Sequence, residues 1–502
     1  MYKYQVKKFR TRSILCLLMQ VSIIFASCQG MGQPAKSSDG LQKALSTLQQ
    51  DKDLKYASIS FYAMDMETGV KVAGLNENMS QSPASTQKII LTATALDVLG
   101  SGFQYKTKIE YDSTIKDGVL YGNVYITGGG DPTLGSHFFK SYYGDFISIW
   151  AEKLLNAGIR EIKGAVIGDD GIYDQNIIPR KRAWEDIANY YGVGGCGLSV
   201  FDNSYTIVFG SGPNDGDPTW IKSIRPEIPG LQLANSVKAS NDRGDNAFIF
   251  GTPYTYDRFI YGTIPKGKDS FEVDGAIPDP ALYTAYLLNE KLSNSGIKIH
   301  HKPTTSRLLK IEKSWNPGTK KTIHTTSSPS LQEIVRVTNM VSFNSYPEHF
   351  LVHLGAKLKG EANSDAGLEA IKTYWGSKGM DTRGFFPFDG CGLTKYNQIA
   401  PTHLVFILNY MKKNSKYFDA FYESLPIAGK SGTLSRVCKG TVAEDKIHAK
   451  SGSIGKVRAY SGYASTLTGK EIAFSIILSN YDCSDSEARK KLETIMVAIV
   501  ND

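Results

Sequence analysis

Cysteine is scarce, with 6 in 502 residues. Cys16 and Cys28 lie near the start, and Cys196, Cys391, Cys438 and Cys483 stand too far apart for a zinc-ligand spacing. Those spacings fix no disulfide pairing either, so paired and free thiols both stay open. An apolar run of the roughly 20 residues that a membrane-spanning helix needs is also missing; Ile14 to Phe25 supplies about 12. No Gly-Lys-Ser or Gly-Lys-Thr follows Gly128-Gly129-Gly130, and Asp131 would repel phosphate, which leaves a tight turn as the reading of that stretch. His349 and His353 stand one helical turn apart, but without the intervening Glu of a zinc peptidase and without an evident third ligand. No metal or organic cofactor is therefore expected. Internal repeats and low-complexity tracts are absent.

Net charge is small once the leader is set aside. The chain carries +8, but Lys3, Lys7, Lys8, Arg10 and Arg12 precede the apolar Ile14–Phe25 run in the manner of an export signal, and removing them leaves about +3. That argues against a nucleic-acid partner. Phe25-Ala26-Ser27-Cys28 resembles a bacterial lipoprotein cleavage box, whose cysteine becomes the lipidated first residue; Phe25 departs from the usual Leu, and an ordinary signal-peptide cut is the alternative. Residues 1–28 are read as the signal segment and 29–40, rich in Gly, Ser, Gln and Pro, as a tether. The expected location is the periplasmic side of a bacterial envelope, with a lipid on Cys28 as the membrane anchor.

What remains is the composition of a soluble globular protein, 41% hydrophobic and 21% charged, and its length calls for two or three folded units. Ala57–Ala63 and Val70–Leu75 alternate as a hairpin around Glu67-Thr68-Gly69. From Ser85, Ile89, Ile90, Ala93, Leu96 and Leu99 recur at helical spacing until Gly100. From Tyr105 to about Gly275 short strands and turns dominate. Helical patterning returns at Pro278–Leu292 and continues to Thr402–Met411, and strands return at Lys446–Ala464 and Glu471–Ser479. The predicted fold class is α/β (α+β): a discontinuous domain of 41–104 plus 276–502, interrupted by a β-rich insertion of two subdomains at 105–275.

Three short motifs carry chemistry. In Ser85-Thr86-Gln87-Lys88 the lysine lies one helical turn beyond the serine, where a burial-lowered pKa lets an amine take a hydroxyl proton. Ser113/Lys116, Ser295/Lys298 and Ser453/Lys456 repeat the spacing, but only Ser85 opens a long apolar helix; a simple helix cap is its plainer reading. Ser342-Phe343-Asn344 sits between two helices, where the hydroxyl can relay a proton and the amide can orient a lysine. Read singly it is turn chemistry, and Ser314-Trp315-Asn316 is a rival copy. Lys450-Ser451-Gly452 lies on a strand: its edge can align an extended peptide, Lys450 and Ser451 can attract a carboxylate, and Gly452 leaves room for approach. Lys430-Ser431-Gly432 is its decoy, in a loop-like sequence.

In that order the trio resembles the signature of penicillin-binding proteins and serine β-lactamases. About 257 residues separate the first two motifs, and this long insertion is similar to that of the class C low-molecular-mass group, the penicillin-binding protein 4 type or S13 peptidases. Ile126-Thr127-Gly128-Gly129-Gly130-Asp131-Pro132-Thr133-Leu134, Asp389-Gly390-Cys391-Gly392-Leu393-Thr394 and Leu425–Leu434 agree with that group, although it usually has Thr for Ser451 and Ser for Cys391 and Thr394.

The resemblance implies a penicillin-binding-protein/β-lactamase-like transpeptidase domain and a serine D-alanyl-D-alanine carboxypeptidase and endopeptidase. Ser85 is expected as nucleophile, Lys88 as its base, and Ser342, Asn344 and Lys450 as the remaining catalytic side chains. Ser451, Gly452 and Ser453 are expected to bind substrate, with the backbone N–H groups of Ser85 and Ser453 receiving the oxyanion, a device worth about 10²–10³ in rate per donor. Peptidoglycan stem peptides ending in D-Ala-D-Ala, or D,D-cross-links, are the expected substrates, and β-lactams the expected covalent inhibitors. A serine β-lactamase and a non-catalytic penicillin sensor or scaffold are the alternatives.

Overall fold

The strand Glu471–Ser479 reads EIAFSIILS, and every residue after the first is buried. Alternate side chains of a strand serve opposite faces. Ala473 and Ile477 enter one apolar cluster, while Ile472, Phe474, Ile476 and Leu478 enter another. A strand so apolar on both faces belongs in the middle of a sheet covered on both sides, and each large side chain it buries contributes about 1.5–3 kcal/mol.

That is its place in the computed structural model, which describes residues 39–502. Strands β1 (Ser58–Asp65), β2 (Lys71–Leu75), β3 (Ile447–Ile454), β4 (Val457–Ser465) and β5 (Glu471–Ser479) form an antiparallel sheet in the order β3-β4-β5-β1-β2. The two ends of the chain thus share one sheet, in register from Ser58↔Ser479 to Asp65↔Ile472. Helices α1 (Asp39–Gln49) and α7 (Asp485–Val500) cover one face; α7 starts at a capping box in which the Ser484 and Glu487 side chains each accept the other's backbone N–H. Helix α1 already begins at Asp39, inside the expected tether. The signal segment, Cys28 and the rest of the tether lie outside the described residues.

On the other face lie α2 (Lys88–Leu99), α3 (Leu331–Met340), α4 (Ser345–Lys359), α5 (Ser364–Ser377) and α6 (Pro401–Asn414). Every residue of α2 from Lys88 to Leu96 is buried, so the helix turns no face to solvent there, and the hydroxyls of Thr92 and Thr94 bond back to the carbonyls of Lys88 and Ile90. It packs against α3, α4 and α6.

The chain leaves this unit after Tyr105 and re-enters it at Leu331. Between them, Lys106–Tyr111 pairs with both Val124–Thr127 and Lys321–Ser327 in a five-stranded sheet, and residues 204–276 supply two more sheets. Here the structure corrects the sequence reading, which closed the insertion at 275. The helix Pro280–Asn294 places Ala281, Tyr283, Ala285, Leu288 and Leu292 in the inserted core, beside fully buried Trp150. Helical periodicity shows that a face is buried but not against which neighbour, so 276–327 was assigned to the wrong core. One continuous apolar cluster runs from Ile109 to Ile297 through all four inserted sheets, and a smaller one gathers Tyr125, Ala165 and Ile167 with Leu309 and Trp315.

Candidate active site

Ser85 lies in the 3-10 turn Ala84–Gln87 that runs directly into α2. The turn is strained: Ala84 has φ +46°, which a residue with a Cβ adopts at a cost of about 1–2 kcal/mol. Two glycines hold it there. A Cβ on Gly392 would stand 2.0 Å from the Ala84 carbonyl oxygen, and one on Gly452 would stand 2.7 Å from that of Pro83. The space at Gly452, expected to admit a peptide, is thus filled by the turn that carries Ser85.

Lys88, wholly buried at the start of α2, has its Nζ 2.8 Å from Ser85 Oγ. The same nitrogen donates to Asn344 Oδ1 at 2.7 Å and to the Cys391 carbonyl at 2.8 Å. Burial lowers the Lys88 pKa below the ordinary lysine value, against the pull of the Asp389 and Glu348 carboxylates. A neutral amine has two N–H bonds and one lone pair. In that neutral form, with both N–H bonds directed at the two carbonyl oxygens, the lone pair would face the Ser85 hydroxyl.

Helix α3 begins with a Ser330/Glu333 capping box and ends at Met340, after which Ser342 turns the chain with φ +63° into α4. Asn344, just before α4, is pinned from the other side, its Nδ2 donating to the Tyr191 carbonyl at 2.9 Å. Lys450 reaches in from β3, is wholly buried, and donates to Ser342 Oγ and to the Ser451 carbonyl, both at 2.8 Å. Burial, reinforced by nearby Lys88, holds its pKa well below the ordinary value. Ser451 Oγ donates to Thr433 Oγ1 at 2.7 Å. Ser85, Ser342, Ser451 and Ser453 all open on one cavity of about 470 Å³.

Ser453 of the rival Ser453/Lys456 pair lines this cavity from β3, and the other rival serines fall elsewhere. Ser314, Trp315 and Asn316 line a separate cavity in the inserted region, and Ser295 ends the helix Pro280–Asn294. Lys430 pairs with Glu444 at 3.6 Å, half exposed, yet its neighbours Gly432 and Thr433 line the Ser85 cavity.

Sequence reasoning missed the charges behind Lys88. Arg182, from the insertion, has no exposed side-chain surface and binds Glu348 at 2.9 Å and Asp389 at 3.6 Å. Glu348 also accepts the N–H groups of Gly390 and Cys391, and Asp389 those of Gly392, Leu393 and Thr394. Burial pushes Glu348 upward and Arg182 opposes it. Ligand atoms of Glu348, Asp389 and Cys391 lie within 4.8 Å of one another, a spacing that suits a metal, but the Arg182 guanidinium already supplies the cation. His349 and His353 have their own partners, Ser199 and Tyr173. The four cysteines among the described residues are all free.

Residues 41–501 match the D-Ala-D-Ala carboxypeptidase 3 (S13) family. The chain belongs to that family. It is 25% identical over 448 residues to the D-alanyl-D-alanine carboxypeptidase of Actinomadura sp. strain R39, covering 87% of this chain and 80% of that protein. Its fold is that of penicillin-binding protein 4 from Haemophilus influenzae, with a TM-score of 0.76 at 21% identity over 91% of this chain and 98% of the other. The same Haemophilus protein in complex with a β-lactam superposes with a TM-score of 0.70 at 20% identity, with the same two shares covered. Family membership thus spans the inserted region as well as both halves of the unit that holds Ser85, Lys88 and Lys450.

Proposed function

We propose that this member of the S13 family is a serine D-alanyl-D-alanine carboxypeptidase and endopeptidase that acts on peptidoglycan stem peptides through an acyl-Ser85 intermediate. One observation carries the reading: the buried Lys88 Nζ lies 2.8 Å from Ser85 Oγ and has the Asn344 and Cys391 carbonyl oxygens as its other two partners, so that the neutral amine would turn its lone pair to Ser85. Lys88 takes the hydroxyl proton as Ser85 Oγ attacks the carbonyl carbon between two D-alanines. The backbone N–H groups of Ser85 and Ser453 receive the oxyanion. Ser342, bonded to Lys450, hands its proton to the departing D-Ala nitrogen and is refilled with the one Lys88 took, and water then attacks the acyl carbon, giving its proton to Ser85 Oγ as the acid leaves. Lys450 and Ser451 hold the substrate's terminal carboxylate. A β-lactam acylates the same oxygen and blocks it, because its leaving group stays tethered.

Export and a lipid on Cys28 complete the proposal, placing the site in the periplasm beside its polymer. The test compares the wild type with Ser85→Ala for labelling by fluorescent penicillin and for D-Ala release from a muropeptide. Stable label and D-Ala release, both lost in the variant, are expected. No label on the wild type would sink the acyl-serine reading. Label without release or cross-link cleavage would favour a sensor, and rapid loss of label a β-lactamase.

A further inference from the structure

The helix Pro280–Asn294 turns one face into the inserted core and another toward a cavity. Tyr283, Tyr286, Asn289, Glu290 and Ser293 follow one another at helical spacing along that second face. Ile228, Pro229 and Tyr256 and the segment from Ile299 to Pro303 wall the face in, leaving about 490 Å³, within the range of small-ligand sites. None of these residues belongs to the Ser85 site.

The rings of Tyr283 and Tyr286 lie nearly parallel, at 16° with centroids 6.4 Å apart; Tyr283 is 4% exposed and shared with the inserted core, and Tyr286 in front of it offers its ring to the cavity. The Asn289 amide oxygen is shut off from solvent and has no partner. A buried amide oxygen without a hydrogen bond costs about 1–3 kcal/mol, a cost that is removed when the Asn289 side chain turns its oxygen to a bound hydroxyl or N–H group in the cavity. The hydroxyls of Tyr256, Tyr283 and Tyr286 also have no hydrogen-bond partner among the described residues. The ionisable groups of the lining are of both signs, Glu290 against Lys302, His300 and His301, with His300 already bonded to Glu161, and among the described residues they form no cluster of the kind that holds a metal. Such a cavity suits neither a phosphate nor a metal ion. It suits a neutral molecule with apolar ring faces and many hydroxyl and amide groups, which is the chemistry of an N-acetylated sugar.

We propose that this cavity binds the sugar strand to which the stem peptides are attached, so that the inserted region holds the polymer while the Ser85 site works on its peptides. The identity of the sugar rests on the proposed substrate; the cavity itself does not depend on catalysis. The test uses the full chain and peptidoglycan strands stripped of their stem peptides by an amidase. Wild type and Ser85→Ala should both bind these strands. Tyr286→Ala and Asn289→Ala should weaken binding about tenfold or more, with penicillin labelling and D-Ala release from a soluble peptide unchanged. Tyr286→Phe, which keeps the ring, should retain more of the binding than Tyr286→Ala. Both alanine variants should show the wild-type thermal transition; where one does not, the other and Tyr286→Phe carry the comparison.

The proposal is overturned if wild type does not bind stripped strands, if binding survives both alanine substitutions, or if it requires strands that keep their peptides, which would give the cavity to the stem peptide. Strand binding that depends on Tyr286, in a protein that releases no D-Ala, would support the sugar site and refute the catalytic reading alone.

Discussion

Replacing Arg182 with methionine removes the positive charge that Glu348 and Asp389 share, in a place where none of the three side chains of the cluster has exposed surface. Breaking a buried ion pair by deleting one partner costs about 3–5 kcal/mol, a large part of the roughly 5–15 kcal/mol that holds a domain together. The effect should depend on pH in a known sense. Burial already raises the Glu348 pKa and Arg182 opposes that rise, so in the variant the folded pKa moves further above the unfolded one. Below the unfolded carboxyl value both states are protonated and the deficit is small. As pH rises past it, the unfolded chain ionises first and both proteins lose stability alike up to the raised folded pKa of wild type; beyond that the deficit grows until the still higher folded pKa of the variant is reached.

Urea unfolding, followed by the fluorescence of Trp375 in the helical core and Trp150 in the inserted core, measures the loss across that range. Arg182 also lowers the Lys88 pKa, so penicillin acylation by the variant should need a higher pH than acylation by wild type. Adding Glu348→Gln should recover part of the lost stability. A loss below about 1 kcal/mol, or one that does not change with pH, would refute the assignment of the buried charges.

Gly452→Ala places a methyl 2.7 Å from the Pro83 carbonyl oxygen and must shift the Ser85 turn; acylation should slow about tenfold with a stability loss of about 1–3 kcal/mol, and an unchanged rate would show that the approach is not needed. Asn344→Leu frees one N–H of Lys88 and should lower kcat by about 10²-fold with KM little changed, which steady-state D-Ala release would show. Burial and nearby Lys88 hold the Lys450 pKa well below the ordinary value, so an anionic ligand beside it raises that pKa, and binding takes up protons at any pH where the free amine is partly unprotonated. Binding of a D-Ala-D-Ala peptide to Ser85→Ala should therefore give calorimetric heats that vary with the ionisation enthalpy of the buffer; heats independent of the buffer would contradict a carboxylate at Lys450.

Much of this arrangement could be read from residue order, for reasons that are themselves chemical. A serine and the lysine one turn away on the same helix carry their geometry in the spacing alone, and the helix after Ser85 separated that copy from the one at Ser113, in a turn with φ +65°. Lys450 stood out from Lys430 because a continuous strand follows it, and β3 does run from Ile447 to Ile454. The loop copy was not irrelevant, however, since Thr433 lines the cavity and receives the Ser451 hydroxyl.

Arg182 gave no signal. It is one charged residue in an irregular segment, and only the fold reveals that it meets Glu348 and Asp389 from distant parts of the chain. Asp389 and Cys391 were noticed as part of a stretch resembling the S13 peptidases, but the stretch did not show that the Cys391 carbonyl orients Lys88. The helix Pro280–Asn294 was recognised and then assigned to the wrong core, because Ala281, Tyr283 and Leu288 would look the same in sequence whichever side they packed on.

The central claim is that Ser85 is the atom donor to an acyl-enzyme. Intact-mass measurement of the protein after incubation with penicillin, followed by peptide mapping, addresses it directly. The account predicts one adduct, located on the peptide containing Ser85 and absent from Ser85→Ala. An adduct on another residue, or one that persists undiminished in Ser85→Ala, would contradict it.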